Sequence, residues 1–141
     1  MTDDAENERE ISLTRPDYGP GIVRHIVLFR YRDDIDGKDL QEIEQKFHEI
    51  QTSKRDGRPY ILSIESGAQN SPEGLGQGFH QAYIVSFASQ GDRNYYVGEP
   101  LITDPALYDP MHHAFKSFIT NYISGQESSV LVFDLHVQAP Q

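Results

Sequence analysis

Two adjacent histidines, His112 and His113, lie at the start of a predicted helix, where imidazole side chains are able to transfer protons. Asp109 is a favourable N-cap residue and Pro110 suits the first helical position, so the helix is expected to begin there. His112 falls at the edge of the buried helix face, and His113 falls on the solvent side. His112 is therefore the first candidate for a reactive group, the alternative being an ordinary histidine at the edge of the core. The apolar residues that define the buried face recur at helical spacing and are Met111, Phe115, Phe118, Ile119 and Tyr122.

Composition limits the classes of function. The chain has 141 residues, enough for one domain with a hydrophobic core, and a formal net charge of −10. This charge argues against nucleic acid or an anionic membrane as a partner, because phosphate groups bind to basic surfaces. The absence of cysteine excludes disulfides and thiol chemistry. No apolar run approaches the roughly 20 residues of a membrane span, and the acidic N-terminus lacks the apolar part of a secretion signal, so a cytoplasmic protein is expected.

Residues 1–20 are expected to form a flexible, acidic N-terminal tail ahead of one folded domain over residues 21–138. Acidic and polar side chains dominate the start of the chain, a composition typical of disordered segments. Pro16, Gly19 and Pro20 then interrupt any regular element before the first predicted strand.

The remainder of the chain predicts alternating strands and helices. Such an order most simply forms an α+β fold of the ferredoxin-like βαββαβ type, a four-stranded antiparallel sheet with the helices on one face. The predicted strands cover residues 22–32, 60–67, 79–88 and 130–137, and the predicted helices cover residues 37–53, 89–97 and 110–124.

The first strand carries large apolar side chains on both of its faces. Val27 and Phe29 share one face, and Ile26 and Leu28 share the other. A strand with one wetted face would alternate cleanly between apolar and polar residues. Since the helices cover only one side of the sheet, a second copy of the chain is expected to cover the other, which gives a homodimer closing into a dimeric α+β barrel.

Other binding chemistries have weaker support in the sequence. The glycine-rich stretch at residues 74–78 precedes a strand, whereas a phosphate-binding loop leads into a helix. His112 and His113 are adjacent in a helix and point in different directions, so they do not share a metal ion. His80 and His136 lie on strands without an evident third ligand. No metal and no cofactor is therefore expected.

Five short pieces of sequence occur in a characteristic order. They are Arg24-His25-Ile26-Val27-Leu28-Phe29, the loop Gly67…Ser71-Pro72-Glu73, Gly78-Phe79…Ala82…Val85-Ser86-Phe87, Pro110-Met111-His112…Phe115 and Val130-Leu131-Val132-Phe133-Asp134. In this order and spacing, over about residues 22–137, the chain resembles the stress-responsive A/B barrel (Dabb) family. The resemblance implies a dimeric α+β barrel with a pocket between the sheet and the helices.

The resemblance also implies candidate site residues. In cyclases of the olivetolic acid cyclase type, which fold a linear polyketide thioester by an aldol condensation, the reactive histidine falls on His112 of this chain. A histidine on the first strand falls on His25. The pocket tyrosine of that type stands four residues before a proline and falls on Tyr96, given Pro100.

The tyrosine assignment stays open because this chain departs from the pattern. Pro100 and Pro110 both fit the single proline that joins the tyrosine and histidine pieces in those cyclases, so Tyr95 or Tyr108 fits as well as Tyr96. The intervening insert, residues 99–108, connects the predicted helix that carries Tyr95 and Tyr96 to the predicted helix that carries His112. We expect it to be either an ordered flap at the cavity mouth or a surface excursion.

Two functions follow as expectations. The first is a cofactor-independent cyclase or lyase, in which His112 acts as general base, a tyrosine hydroxyl donates to the substrate carbonyl, and His25 lines the same cavity. The second is a non-catalytic, stress-responsive dimeric barrel protein that binds a small apolar or polyketide-like ligand. The residues expected to line the ligand cavity are Val27, Phe29, Tyr83, Tyr108 and Phe115.

Overall fold

The computed structural model describes residues 2–125 and 128–138. Within these residues the helices are α1 (Thr2–Leu13), α2 (Gly37–Glu49), α3 (Gln90–Val97) and α4 (Pro110–Ile119). The strands are β1 (Pro20–Phe29), β2 (Lys54–Arg55), β3 (Arg58–Pro59), β4 (Ser63–Ala68), β5 (Gln81–Ser89) and β6 (Val130–His136). None of the helices in this part of the chain is long and apolar enough to cross a bilayer.

The main sheet confirms the predicted ferredoxin-like arrangement. Its strand order is β4-β5-β1-β6, and every neighbouring pair is antiparallel. The first strand therefore lies in the middle of the sheet, between β5 and the last strand. Strands β2 and β3 form a separate short hairpin after α2.

The core lies between one face of the sheet and helices α2 and α4. Val27 and Phe29 of β1 are buried there, and the Phe47 ring of α2 stacks on the Tyr83 ring of β5 at 3.9 Å between centroids. Phe115 of α4 is buried as predicted. Met111 was expected on the same buried face but is exposed, because it lies in an open groove between α2 and α4.

The opposite face of the sheet is apolar and uncovered in the single chain. Ile26 of β1 is paired with Phe133 of β6, and Leu28 is paired with Leu131. Phe133 is 59% exposed and Leu131 is 43% exposed. Helices α2, α3 and α4 lie on the other face of the sheet, as the two-faced pattern of the first strand predicted.

The segment expected to be a flexible tail is instead largely helical, since α1 occupies most of it. The Glu10 side chain is buried and accepts hydrogen bonds from the backbone N–H groups of Thr103 and Asp104, both at 2.9 Å. It also accepts from the Thr103 hydroxyl at 2.7 Å. One carboxylate of this acidic segment thus satisfies backbone donors in the 99–108 insert, and this docks the helix.

We expect Glu10→Gln to loosen the contact between α1 and the insert. A neutral amide carries an NH₂ group in place of one acceptor oxygen, so it is unable to accept all three hydrogen bonds. Amide hydrogen exchange at Thr103 and Asp104 should accelerate, and the denaturation midpoint should fall. Glu8→Gln, at an exposed position of the same helix, is the matched control and should change neither. Unchanged exchange in Glu10→Gln would contradict this role.

Candidate active site

A cavity of about 590 Å³ lies between the inner face of β1 and β6 and helices α3 and α4. Its volume is within the range usual for small-molecule sites. The polar residues that line it are His25, Arg93, Asn94, Glu99, His112, Lys116, Thr120 and Asp134. The apolar residues that line it are Val27, Phe29, Phe47, Val97, Pro100, Leu101, Phe115, Ile119, Ile123, Val130 and Val132. A mostly apolar ligand with a few polar groups fits such a lining.

His112 is positioned by the first turn of α4. The buried Asp109 carboxylate accepts from the backbone N–H groups of Met111 at 2.8 Å and His112 at 3.4 Å, as the predicted N-cap requires. The His112 Nδ1 atom lies 2.6 Å from the backbone oxygen of Tyr96. A carbonyl oxygen only accepts, so Nδ1 carries the hydrogen, and Nε2 keeps its lone pair.

The protonation state of His112 follows from its burial. Removal from water lowers the pKa of His112 to about 3, and the nearby charges of Lys116, His25 and His113 act in the same direction. The hydrogen bond to Tyr96 opposes this shift only in part. His112 is therefore neutral at physiological pH, with Nε2 in the form that accepts a proton.

His25 belongs to a second polar group on the sheet wall of the cavity. Its Nδ1 lies 2.8 Å from Asp134, and the other Asp134 oxygen accepts from Arg93 at 2.8 Å. Burial raises the pKa of Asp134, but the hydrogen bonds and charges of His25 and Arg93 outweigh burial and hold the pKa below its usual value. The ionised carboxylate accepts from Nδ1–H of His25, which leaves Nε2 as the free nitrogen.

Asp134 and Arg93 are not among the site residues predicted from the sequence. His25 and Asp134 are directly paired across β1 and β6. The sequence predicts the last strand after α4 but does not specify its register against the first strand. The residue opposite His25 therefore cannot be identified from the sequence. The pairing of these two strands would have been the signal that connects His25 with a carboxylate.

The structure separates the three candidate tyrosines. Tyr96 stacks on the His112 ring at 3.8 Å between centroids and meets the edge of His25 at 5.5 Å. Tyr95 packs against Tyr60, and Tyr108 stacks on His113, so neither of them lines the cavity.

The Tyr96 hydroxyl is the predicted donor to a substrate carbonyl. It is buried, has no hydrogen-bond partner among the described residues and lies outside the cavity lining. Burial raises its pKa well above the usual value, with the charges of Asp109 and Asp134 acting in the same direction. In this structure Tyr96 contacts His112 through its ring and its backbone oxygen.

Three of the five residues predicted to line the cavity do so, namely Val27, Phe29 and Phe115. Tyr83 does not line it, because its ring is buried in the core against Phe47. Tyr108 does not line it either, since its ring lies against His113, which faces solvent as predicted.

The 99–108 insert is part of the cavity wall over its first residues. Glu99, Pro100 and Leu101 line the cavity, and the following Ile102 is fully buried. Beyond them, Thr103 is held by Glu10 of α1. The first residues of the insert therefore contact the cavity and are not the surface excursion expected as the alternative, while the role of a flap stays a prediction. Within residues 2–125 and 128–138, no group of three or more His, Cys, Asp or Glu residues is arranged to hold a metal ion.

Several solved structures have a similar fold. The hydroxynitrile lyase from Passiflora edulis has 21% sequence identity and a TM-score of 0.65, over 86% of this chain and 98% of that chain. A dimeric ferredoxin-like protein of unknown function from Jannaschia sp. CCS1 has 14% identity and a TM-score of 0.63, over 83% and 100%. A Dabb family protein with a ferredoxin-like fold from Mesorhizobium loti has 18% identity and a TM-score of 0.60, over 84% and 99%. At these identities the similarity concerns the fold.

A family model extends this similarity to the sequence. The stress responsive A/B barrel domain model matches residues 23–137, which are most of the chain. No curated protein matches the sequence. The matched region begins within β1 and ends just after β6, so helix α1 lies outside it.

The burial of neutral His112 predicts a loss of stability in acid. The unfolded histidine binds its proton near pH 6.5, whereas the folded one does so near pH 3, so acidification favours the unfolded state. Between pH 7 and 4.5 this residue should lower the free energy of unfolding by roughly 2 to 3 kcal/mol. Chemical denaturation of wild type and His112→Gln should show a steeper loss in wild type, and the control His113→Gln should keep the wild-type slope. Equal slopes in all three proteins would show that His112 has the same pKa in the folded and unfolded states, which would contradict the lowered value.

Proposed function

The chain belongs to the stress responsive A/B barrel domain family, and from this premise we propose that it is a homodimeric small-molecule enzyme. The reaction is a proton transfer, of the aldol cyclase or lyase-like kind, within the cavity between the sheet and helices α3 and α4. The observation that carries this proposal is the neutral His112 in the cavity lining, with its tautomer set by the Tyr96 backbone oxygen. No cofactor is required for this step.

In the proposed reaction, Nε2 of His112 accepts a proton from a hydroxyl or an acidic C–H group of the substrate. The imidazole is a weak base in the empty cavity, because its charged form is desolvated. As the proton leaves, negative charge develops on the substrate beside the ring and favours the imidazolium that forms. The base therefore gains strength at the stage of the reaction where it is needed.

His25 has a supporting role in this proposal. The Asp134 carboxylate orients its ring and leaves Nε2 free to contact the substrate from the sheet wall. Both histidines contact the Tyr96 ring, His112 by stacking on it and His25 in an edge-to-face arrangement. Replacing His25 should impair activity in part by removing a hydrogen-bonding group and in part by leaving a hole in the cavity wall.

The solved structures support catalysis only at the level of the fold. The Passiflora edulis protein is a hydroxynitrile lyase, so this architecture accommodates lyase chemistry in at least one protein. The second candidate function is a non-catalytic, stress-responsive protein that binds a small apolar ligand. The predominantly apolar lining of the cavity favours that reading, because it binds such ligands without any proton transfer.

A comparison of the two adjacent histidines separates these functions. We expect His112→Gln to lower turnover roughly 100- to 10,000-fold, the usual contribution of a positioned acid–base group. His113→Gln should leave turnover within about twofold, since it changes a solvated side chain. The assays are cyanide release from mandelonitrile at pH 5 and cyclisation of a linear polyketide thioester analogue. At pH 5 an ordinary histidine is mostly protonated, whereas His112 remains neutral.

Two outcomes would count against catalysis by His112. Turnover by His112→Gln equal to that of wild type would remove this residue from the reaction. Binding of the thioester analogue by wild type, with turnover of neither compound, would favour the non-catalytic function.

The homodimer in this proposal covers the apolar outer face of the sheet. That face includes Leu28, Phe133 and Leu135, and its residues on β6 are exposed in the single chain. A second copy of the same face is complementary to it, and the similar protein from Jannaschia sp. CCS1 is dimeric. The helices lie on the other face, so two sheets can pack together without disturbing either cavity.

Light scattering should give about twice the chain mass of 16.0 kDa. Phe133→Asp should convert the protein to monomer or prevent folding, because burial of an unpaired carboxylate costs several kcal/mol. Leu75→Asp is the matched control, since Leu75 is 73% exposed in a loop and the dimer should tolerate the change. A wild-type monomer, or a dimer of Phe133→Asp with wild-type stability, would rule out this interface.

A further inference from the structure

Lys116 is placed to act on the same ligand as His112. The two residues are four positions apart on α4, so they lie on one helix face, and both line the cavity. The Lys116 ammonium group donates to the backbone oxygens of Val97 and Glu99, the second at 3.1 Å. These two acceptors hold the side chain against the end of α3 and leave the third N–H of the ammonium group available.

The charges in the cavity leave this ammonium group without a close carboxylate. Arg93 forms an ion pair with Asp134, and Asp134 also binds His25. No carboxylate of the described residues lies within 4.0 Å of the Lys116 nitrogen, and Glu99 is an exposed residue at the cavity. Burial lowers the pKa of Lys116, and the charge of Glu99 opposes this only in part. A partly desolvated cation in an apolar cavity favours an anionic ligand.

We propose that Lys116 binds the carboxylate of the substrate, so that the substrate class is an apolar molecule carrying a carboxylate group. This inference rests on the proposed function, because it assigns the ligand class of the same cavity. The Lys116 ammonium group also interacts with the negative charge that develops on the substrate near His112. The buried Tyr96 hydroxyl does not supply such an interaction. A carboxylate bound at Lys116 lies one helical turn from His112 and raises the pKa of that imidazole, which makes it a stronger base.

The test compares 4-phenylbutanoate with 4-phenylbutanamide, which share one apolar skeleton and differ in charge at pH 7. Calorimetric titration of the full chain should show wild type binding the acid roughly 10- to 100-fold more tightly than the amide, as for a hydrogen bond to a charged group. Lys116→Met should lose this preference and keep its affinity for the amide. Lys116→Arg should retain most of the preference, since the charge is conserved.

Lys38→Met is the matched control, because Lys38 is exposed on α2 and outside the cavity. It should bind both compounds like wild type. NMR titration of the His112 ring adds a second readout, and its pKa should rise when the acid is bound but not when the amide is bound. If circular dichroism shows that Lys116→Met does not fold, Lys116→Gln and Lys116→Arg provide the same comparison.

Equal affinity of wild type for acid and amide would overturn the proposal. So would a preference for the acid that survives in Lys116→Met or Lys116→Gln, or the failure of wild type to bind either compound. These assays measure binding alone. A preference for the acid without any turnover would reject the proposed enzyme and keep the carboxylate site, whereas turnover without the preference would do the reverse.

Discussion

The buried carboxylate of Asp109 is the constraint on which the site depends. Asp109 is 1% exposed, and its two oxygens accept from the first turn of α4 and from the hydroxyl of Tyr60. Its backbone N–H donates to the oxygen of Tyr95 at 3.0 Å, which ties the start of α4 to the end of α3. A buried charge is tolerated only where such donors surround it. These contacts fix the residue at which α4 begins, and this places His112 next to the Tyr96 backbone oxygen.

The two cavity histidines show how different acceptors produce the same tautomer. A backbone oxygen holds Nδ1–H of His112, and a carboxylate holds Nδ1–H of His25. Both rings consequently have Nε2 free, although one sits beside a neutral acceptor and the other beside a charged one. The cavity thus combines a neutral, desolvated imidazole with a second imidazole in a network of charges. Environments that differ in this way are typical of sites in which two groups have separate roles.

The cavity wall opposite the sheet is held in place by helix α1, which lies outside the region matched by the family model. Glu10 of α1 accepts hydrogen bonds from Thr103 and Asp104. These residues follow closely after the part of the insert that lines the cavity. The same helix contacts α3, where the Asn94 side chain donates to the backbone oxygen of Leu13 at 2.8 Å. Gly91 packs so closely on the Arg15 backbone that any side chain there would collide with it. The N-terminal segment and the cavity wall therefore form one packed unit.

Local features of the sequence predicted much of the fold and the position of one histidine. Asp109 and Pro110 determine where α4 begins, and apolar periodicity assigns His112 to the buried side and His113 to solvent, because these effects act within one helical turn. The alternation of the first strand likewise predicted a sheet with two apolar faces. The partners of the site depend on the tertiary structure, since His25 meets Asp134 across 109 residues of sequence and Glu10 meets Thr103 across 93. Strand register and helix docking decided these contacts, and with them the burial that separates Tyr96 from the cavity and lowers the pKa of His112.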